Sequence, residues 1–74
     1  MAKYKYLVVI EREQGNLSAY VPDLDGCVTT GQTVDEVLHN IREALSLHIE
    51  SMLEDGDPLP PVAHVAADFV EVNV

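Results

Sequence analysis

The segment Thr33 to Gly56 constrains the fold most, because it contains a complete helix with both of its ends marked. Thr33-Val34-Asp35-Glu36 is a capping box, in which Thr33 accepts from the Glu36 amide and the Glu36 side chain reaches back to the Thr33 amide. Apolar residues follow at Val34, Val37, Leu38, Ile41, Ala44, Leu45, Ile49, Met52 and Leu53, the spacing of one helical stripe. Asp35, Glu36, Asn40, Glu43 and Glu50 occupy the other side. Gly56 suits the left-handed residue after a helix, and Pro58 prevents continuation. In a chain of 74 residues, such a helix leaves room for one small sheet and no second domain.

The sheet is read from the flanks. Tyr4 to Glu11 predicts a first strand whose middle, Leu7 to Ile10, is apolar on both faces. Gln14-Gly15-Asn16 is a turn signal, and Leu17 to Val21 forms the returning arm of a hairpin. Pro22-Asp23-Leu24-Asp25-Gly26 interrupts the ladder, with Pro22 lacking an amide proton and Gly26 free to take a positive φ. Cys27 to Thr30 is a third strand ending at Gly31. After the helix, Pro58-Leu59-Pro60-Pro61 is a stiff connector, and Ala67 to Val74 alternates as a fourth strand. The expectation is an α+β fold, a β-β-β-α-β sheet of order 3-2-1-4 with one helix packed on one face. A fourth strand parallel to the first implies a right-handed crossover.

Composition narrows the function. Thirteen acids against Lys3, Lys5, Arg12 and Arg42 give a net charge of −9. Four scattered bases form no footprint for phosphates, so direct nucleic-acid binding is not expected, and such a surface attracts a basic protein. A domain this small buries only roughly 60–65% of its unfolded surface. One helix covers one sheet face, which leaves the other for self-association or a partner. The single Cys fits a reducing compartment, the cytoplasm, rather than a disulfide scaffold. No apolar run reaches the ~18–20 residues of a membrane span, and Met1 to Lys5 lacks a secretory signal pattern.

No catalytic, cofactor or metal constellation is expected. Glu11, Glu13, Asp23, Asp25, Glu50 and Glu54 are the candidates for a two-metal nuclease, but no base is placed to hold a phosphate. A calcium loop with Gly26 at its sixth position fails, because Val21 and Gln32 stand at the first and twelfth positions, where Asp and Glu are required. His39, His48 and His64 lack ligand spacing, and Cys27 has no basic neighbour in sequence to make it a nucleophile. Leu47 breaks the polar side of the helix between Glu43 and Glu50, which marks it as a partner contact.

Val21-Pro22-Asp23-Leu24-x-Gly26-Cys27-x-Thr29-x-Gly31-x-Thr33, followed by Asp35-Glu36 and by Gly56-x-Pro58-x-Pro60, resembles the HicB-like antitoxins. The resemblance runs from about Tyr4 to Val74. It implies a reduced ribonuclease-H-like fold without the catalytic acids. It also implies a role in covering the active site of a small basic messenger-RNA-cleaving toxin of the HicA type, and self-association as a homodimer or higher oligomer. Asp23, Asp25, Asp35 and Glu36 are then contact candidates together with Leu47, while Pro22, Gly26 and Gly31 shape the turn. Asp25 departs from the Pro usual in the family and Val37 from the usual Ala. Longer members carry a helix-turn-helix or ribbon-helix-helix domain; residues 1–74 read as a single HicB-like domain with no separate DNA-binding domain. The alternative is a solitary homo-oligomeric interaction module without a toxin.

Overall fold

The structure is a computed structural model that describes residues 3–74; Met1 and Ala2, part of the stretch expected to carry no signal, lie outside it. Its elements are β1 (Val9–Glu13), β2 (Asn16–Tyr20), β3 (Val28–Gly31) and α1 (Val34–Asp55). The strands form one antiparallel sheet of order β1-β2-β3. Glu13 pairs with Asn16 across the Gln14-Gly15 turn, and Val9 pairs with Tyr20 at the far end of the hairpin. Leu17 pairs with Gly31 and Tyr20 with Val28.

This register sorts the side chains. Ala19 is buried, and its neighbours on the same face, Ile10 and Leu17, pack around it. Val37, Ile41 and Ile49 of α1 complete that layer, with Val21, Leu24 and Cys27 closing one end. Each large aliphatic side chain taken fully out of water contributes about 1.5–3 kcal/mol, so this small cluster carries much of the stability. The helix packs mainly on β2 and β3 and leaves β1 to one side.

Both helix ends follow the local chemistry. Thr33 is extended, and its Oγ1 accepts from the Glu36 amide at 3.1 Å. The Glu36 carboxylate accepts from the Gln32 amide at 3.2 Å, one residue earlier than a capping box places it. Gly56 has φ 74° and donates to Leu53 O, and Asp57 N donates to Met52 O. Asn40 Nδ2 donates to Thr30 O at 2.9 Å and ties the helix to β3.

The expected 3-2-1-4 sheet is corrected in one respect: residues 67–74 form no strand within this chain. Only the 3-2-1 part of the order is present. The first strand is also shorter than expected, beginning at Val9 rather than Tyr4. Both differences have one cause. Pro22 turns the chain out of the ladder just beyond Tyr20, so residues 4–8 lose a partner on that side, and no fourth strand replaces it on the other.

Gly31 marks the closest approach of sheet and helix. A Cβ added there would lie 2.8 Å from Val37 N and 3.0 Å from Val37 Cα, backbone atoms that cannot swing aside. Gly31→Ala is therefore expected to destabilise the fold by about 1–3 kcal/mol in urea or thermal unfolding. Thr33→Ala should cost about 1 kcal/mol through loss of the cap. Wild-type stability in Gly31→Ala would refute the close approach.

Candidate functional site

The Pro22–Gly26 turn is a closed knot. Val21 N donates to Cys27 O at 3.1 Å across its neck, and Leu24 N donates to Val21 O at 3.0 Å inside it. Val21, Leu24 and Cys27 all point inward and are 2–3% exposed. Gly26 takes φ 80°, the left-handed conformation that reverses the chain, with nothing within 4 Å of an added Cβ. The requirement for glycine there is conformational, whereas at Gly31 it is steric. Burial pushes the Cys27 thiol up, which suppresses the thiolate.

Asp23 lies on this turn but faces the chain itself. Its Oδ2 accepts from the amides of Ala63 and His64 at 3.0 and 3.1 Å, and His64 Nδ1 donates to its Oδ1 at 2.6 Å. The Asp23 side chain is only 6% exposed, while the His64 ring stays more than half exposed. Two successive amides and a ring nitrogen thus cradle one carboxylate. The hydrogen bond from the His64 ring, then the one from its amide, holds the Asp23 carboxyl below its ordinary pKa, against the opposing effect of burial. A second tie lies nearby, where Tyr6 OH donates to Pro60 O at 2.6 Å. Together these contacts clasp the connector to the body.

The remaining contact candidates are exposed. Asp25 stands at the tip of the turn, and Asp35 and Glu36 lie in the first turn of α1. Leu47 is 67% exposed. Helical spacing lines Glu36, Glu43, Leu47, Glu50 and Glu54 along the outer face of α1. His39 Nε2 lies 3.3 Å from Glu43 Oε1 on the same outer side. Among the described residues no group of three His, Cys, Asp or Glu side chains is gathered to hold a metal ion. Among them also, no helix is long and apolar enough to cross a membrane.

A profile of the family described as "HicB_like antitoxin of bacterial toxin-antitoxin system" matches residues 6–72. The chain belongs to this family. A UPF0150 protein of Synechocystis sp. is 41% identical over 58 residues, covering 77% of this chain and 73% of that protein. A UPF0150 protein of Thermotoga maritima is 31% identical over 67 residues, 90% of this chain and 85% of its own length. An uncharacterized 14.9 kDa protein of Haemophilus phage HP1 is 44% identical over 55 residues. That match takes in 74% of this chain but only 41% of the phage protein. Among solved structures, a chain in the HicA3 and HicB3 toxin-antitoxin complex matches at TM-score 0.65 and 36% identity, covering 77% of this chain and 67% of that one.

Within this HicB-like fold the candidate residues separate by role. Pro22 and Gly26 sit in the turn, whereas Gly31 lies outside it, at the end of β3 where the sheet meets α1. Asp25, Asp35, Glu36 and Leu47 remain open to a partner, whereas the oxygens of Asp23 are filled from within. The clasp partners Ala63 and His64 carry no signal in the sequence, being 40 and 41 residues away from Asp23.

The clasp has a defined pH dependence. The folded carboxyl binds its proton less readily than the unfolded one, so its stabilisation is present at neutral pH and is lost as pH falls below the ordinary carboxylate range. The Ala63 and His64 amide resonances should shift together as Asp23 titrates, with a midpoint below that of an ordinary aspartate. Asp23→Asn should abolish this shared transition, and amides indifferent to the substitution would disprove the clasp.

Proposed function

We propose that this chain is an antitoxin that binds and neutralises a small, basic, RNA-cleaving toxin of the HicA type, without chemistry of its own. The observation that carries the reading is the likeness to a chain in a HicA3 and HicB3 complex, at 36% identity and TM-score 0.65. The charge of −9 supports it, since a basic partner that handles RNA is drawn to an acidic one. In this reading the contact surface is the outer face of α1, with Asp35, Glu36 and Leu47, together with Asp25 on the turn. An exposed leucine among acids provides an apolar anchor inside a charged rim, the arrangement in which a few residues carry most of the binding energy.

The proposal assigns no catalytic residue. Cys27 is buried with its pKa raised, and Asp23 is committed to the clasp, so neither is offered to a substrate. It places the pair in the cytoplasm, where messenger RNA is available to the toxin. There this chain contacts the protein and not the nucleic acid.

The test is binding of the full chain to the product of the adjacent open reading frame, followed by titration of salt. Tight association that weakens as salt rises is expected. Asp25→Lys combined with Asp35→Lys should slow association and weaken affinity by about tenfold or more, and Leu47→Asp should speed dissociation. A neighbouring product that is neither small nor basic, or variants that bind like wild type, would sink this reading.

A further inference from the structure

Two of the four glycines follow an aspartate, at Asp25-Gly26 and Asp55-Gly56. In this dipeptide no side chain shields the glycine nitrogen from the neighbouring carboxyl. The other aspartates precede Leu, Glu, Pro or Phe. Both Asp-Gly pairs are exposed, so exposure does not distinguish them. Hydrogen bonding does. Gly56 N is held in the helix cap, where it donates to Leu53 O at 3.2 Å, and Asp57 N donates to Met52 O at 2.9 Å behind it. The Asp25–Gly26 peptide is free on both sides. Among the described residues its carbonyl accepts from no backbone amide, and its amide donates to no backbone carbonyl.

The surrounding turn leaves that peptide able to rotate. Cys27 N donates to Leu24 O at 3.4 Å, Gly26 has φ 80°, and Asp25 does not take a positive φ. These are the marks of a type II turn, with Asp25 second and Gly26 third. At rest such a turn holds ψ of its second residue at about +120°, which points Gly26 N away from the Asp25 carboxyl. Rotation of the central peptide plane brings the nitrogen round. It breaks no hydrogen bond of the knot, because the bond from Cys27 N to Leu24 O spans the turn outside that plane, and glycine tolerates the φ that results. Asp23, two residues earlier, shows the opposite case. Its oxygens are filled by Ala63 and His64, and Leu24 N is committed to Val21 O.

We infer that Asp25-Gly26 is a site of spontaneous isoaspartate formation, and that this reaction unlocks the turn. Gly26 N attacks Asp25 Cγ, the new C–N bond closes a five-membered imide, and the carboxyl OH leaves as water with the amide proton. Water then adds to one of the two imide carbonyls. Cleavage at Cγ restores aspartate. Cleavage at the main-chain carbonyl leaves Gly26 joined through Cγ, with the former main-chain carbonyl as a free carboxylate. One water is lost and one regained, and no cofactor or oxidant takes part. The second product carries Cβ in the main chain, so the path from Leu24 O to Cys27 N is one atom longer, and the neck bond from Val21 N to Cys27 O loses its register. Asp23 belongs to the same loop, so its seat against Ala63 and His64 is disturbed with it. Asp25 stands where the family pattern has Pro, which offers no carboxyl, so the site belongs to this chain's own sequence.

The test ages the full chain for several weeks at neutral pH in water enriched in oxygen-18. Peptides are then read by electron-transfer fragmentation, which separates isoaspartate from aspartate. In the folded chain Asp25 should gain isoaspartate and label about five times faster than Asp55, the factor given by one hydrogen bond kept intact. In guanidinium chloride the two rates should converge. Asp25→Glu retains the charge but cannot close the five-membered ring; it should stay unmodified at that position and keep the Ala63 and His64 amide resonances of wild type. The isoaspartate form, separated by ion exchange, should have both resonances moved toward their unfolded positions. Absence of label at Asp25, equal rates at the two sites in the folded chain, a difference that survives in denaturant, or an isoaspartate form with unmoved clasp resonances would each overturn the inference.

Discussion

Val37 is the most completely buried large side chain of the described residues, and its backbone lies against Gly31, which has no side chain at all. The absence of a Cβ on β3 lets α1 settle directly onto the sheet. The other helix–sheet contacts follow from that distance. Asn40 reaches the Thr30 carbonyl, Ile41 and Ile49 join Ala19 and Leu24, and the capped turn at Thr33 starts two residues after the strand ends. A connection of only Gln32 and Thr33 gives the helix no freedom to shift outward to make room for a larger residue. The HicB-like core is thus set by one tight contact, around which modest aliphatic burial is arranged.

The second organising element is polar. A carboxylate shielded from water needs its lone pairs satisfied, and Asp23 obtains this from a segment some forty residues later. The arrangement works in both directions. The connector gains partners for two amides that would otherwise be left to solvent, and the Pro22–Gly26 turn gains a lid. What resembled an acidic recognition loop is, at Asp23, a device for holding the molecule together. Asp25 and the outer face of α1, by contrast, stay exposed.

The sequence made the helix legible because its information is local. Capping residues lie within three positions of one another, and periodicity needs no knowledge of the rest of the chain. The exposure of Leu47 followed from the same periodicity, and the hairpin from a short turn signal. Alternation in Ala67–Val74 was true to type but answered a different question. It states how a segment would sit in a sheet, not whether a sheet edge of the same chain is within reach. Tyr4–Val8 failed as a strand for a related reason, since a strand ends where its partner ends, and Pro22 decides that from outside the segment. The clasp was illegible because an aspartate on a turn looks the same in sequence whether it faces water or two distant amides.

The two ties on the connector also bear on how such a chain can vary. Between Gly56 and Ala63 the backbone must leave a fixed helix end and arrive with two consecutive amides aimed at Asp23, passing Tyr6 on the way. Pro58, Pro60 and Pro61 stiffen that path, so an extra residue has little slack in which to be absorbed. Apart from Leu59, which packs against the core, and the His64 ring, which meets Asp23, side chains along the connector are free to drift, because the other ties there use its backbone amides and a carbonyl. Its length is not: in this stretch the chain should accept substitutions and reject insertions and deletions.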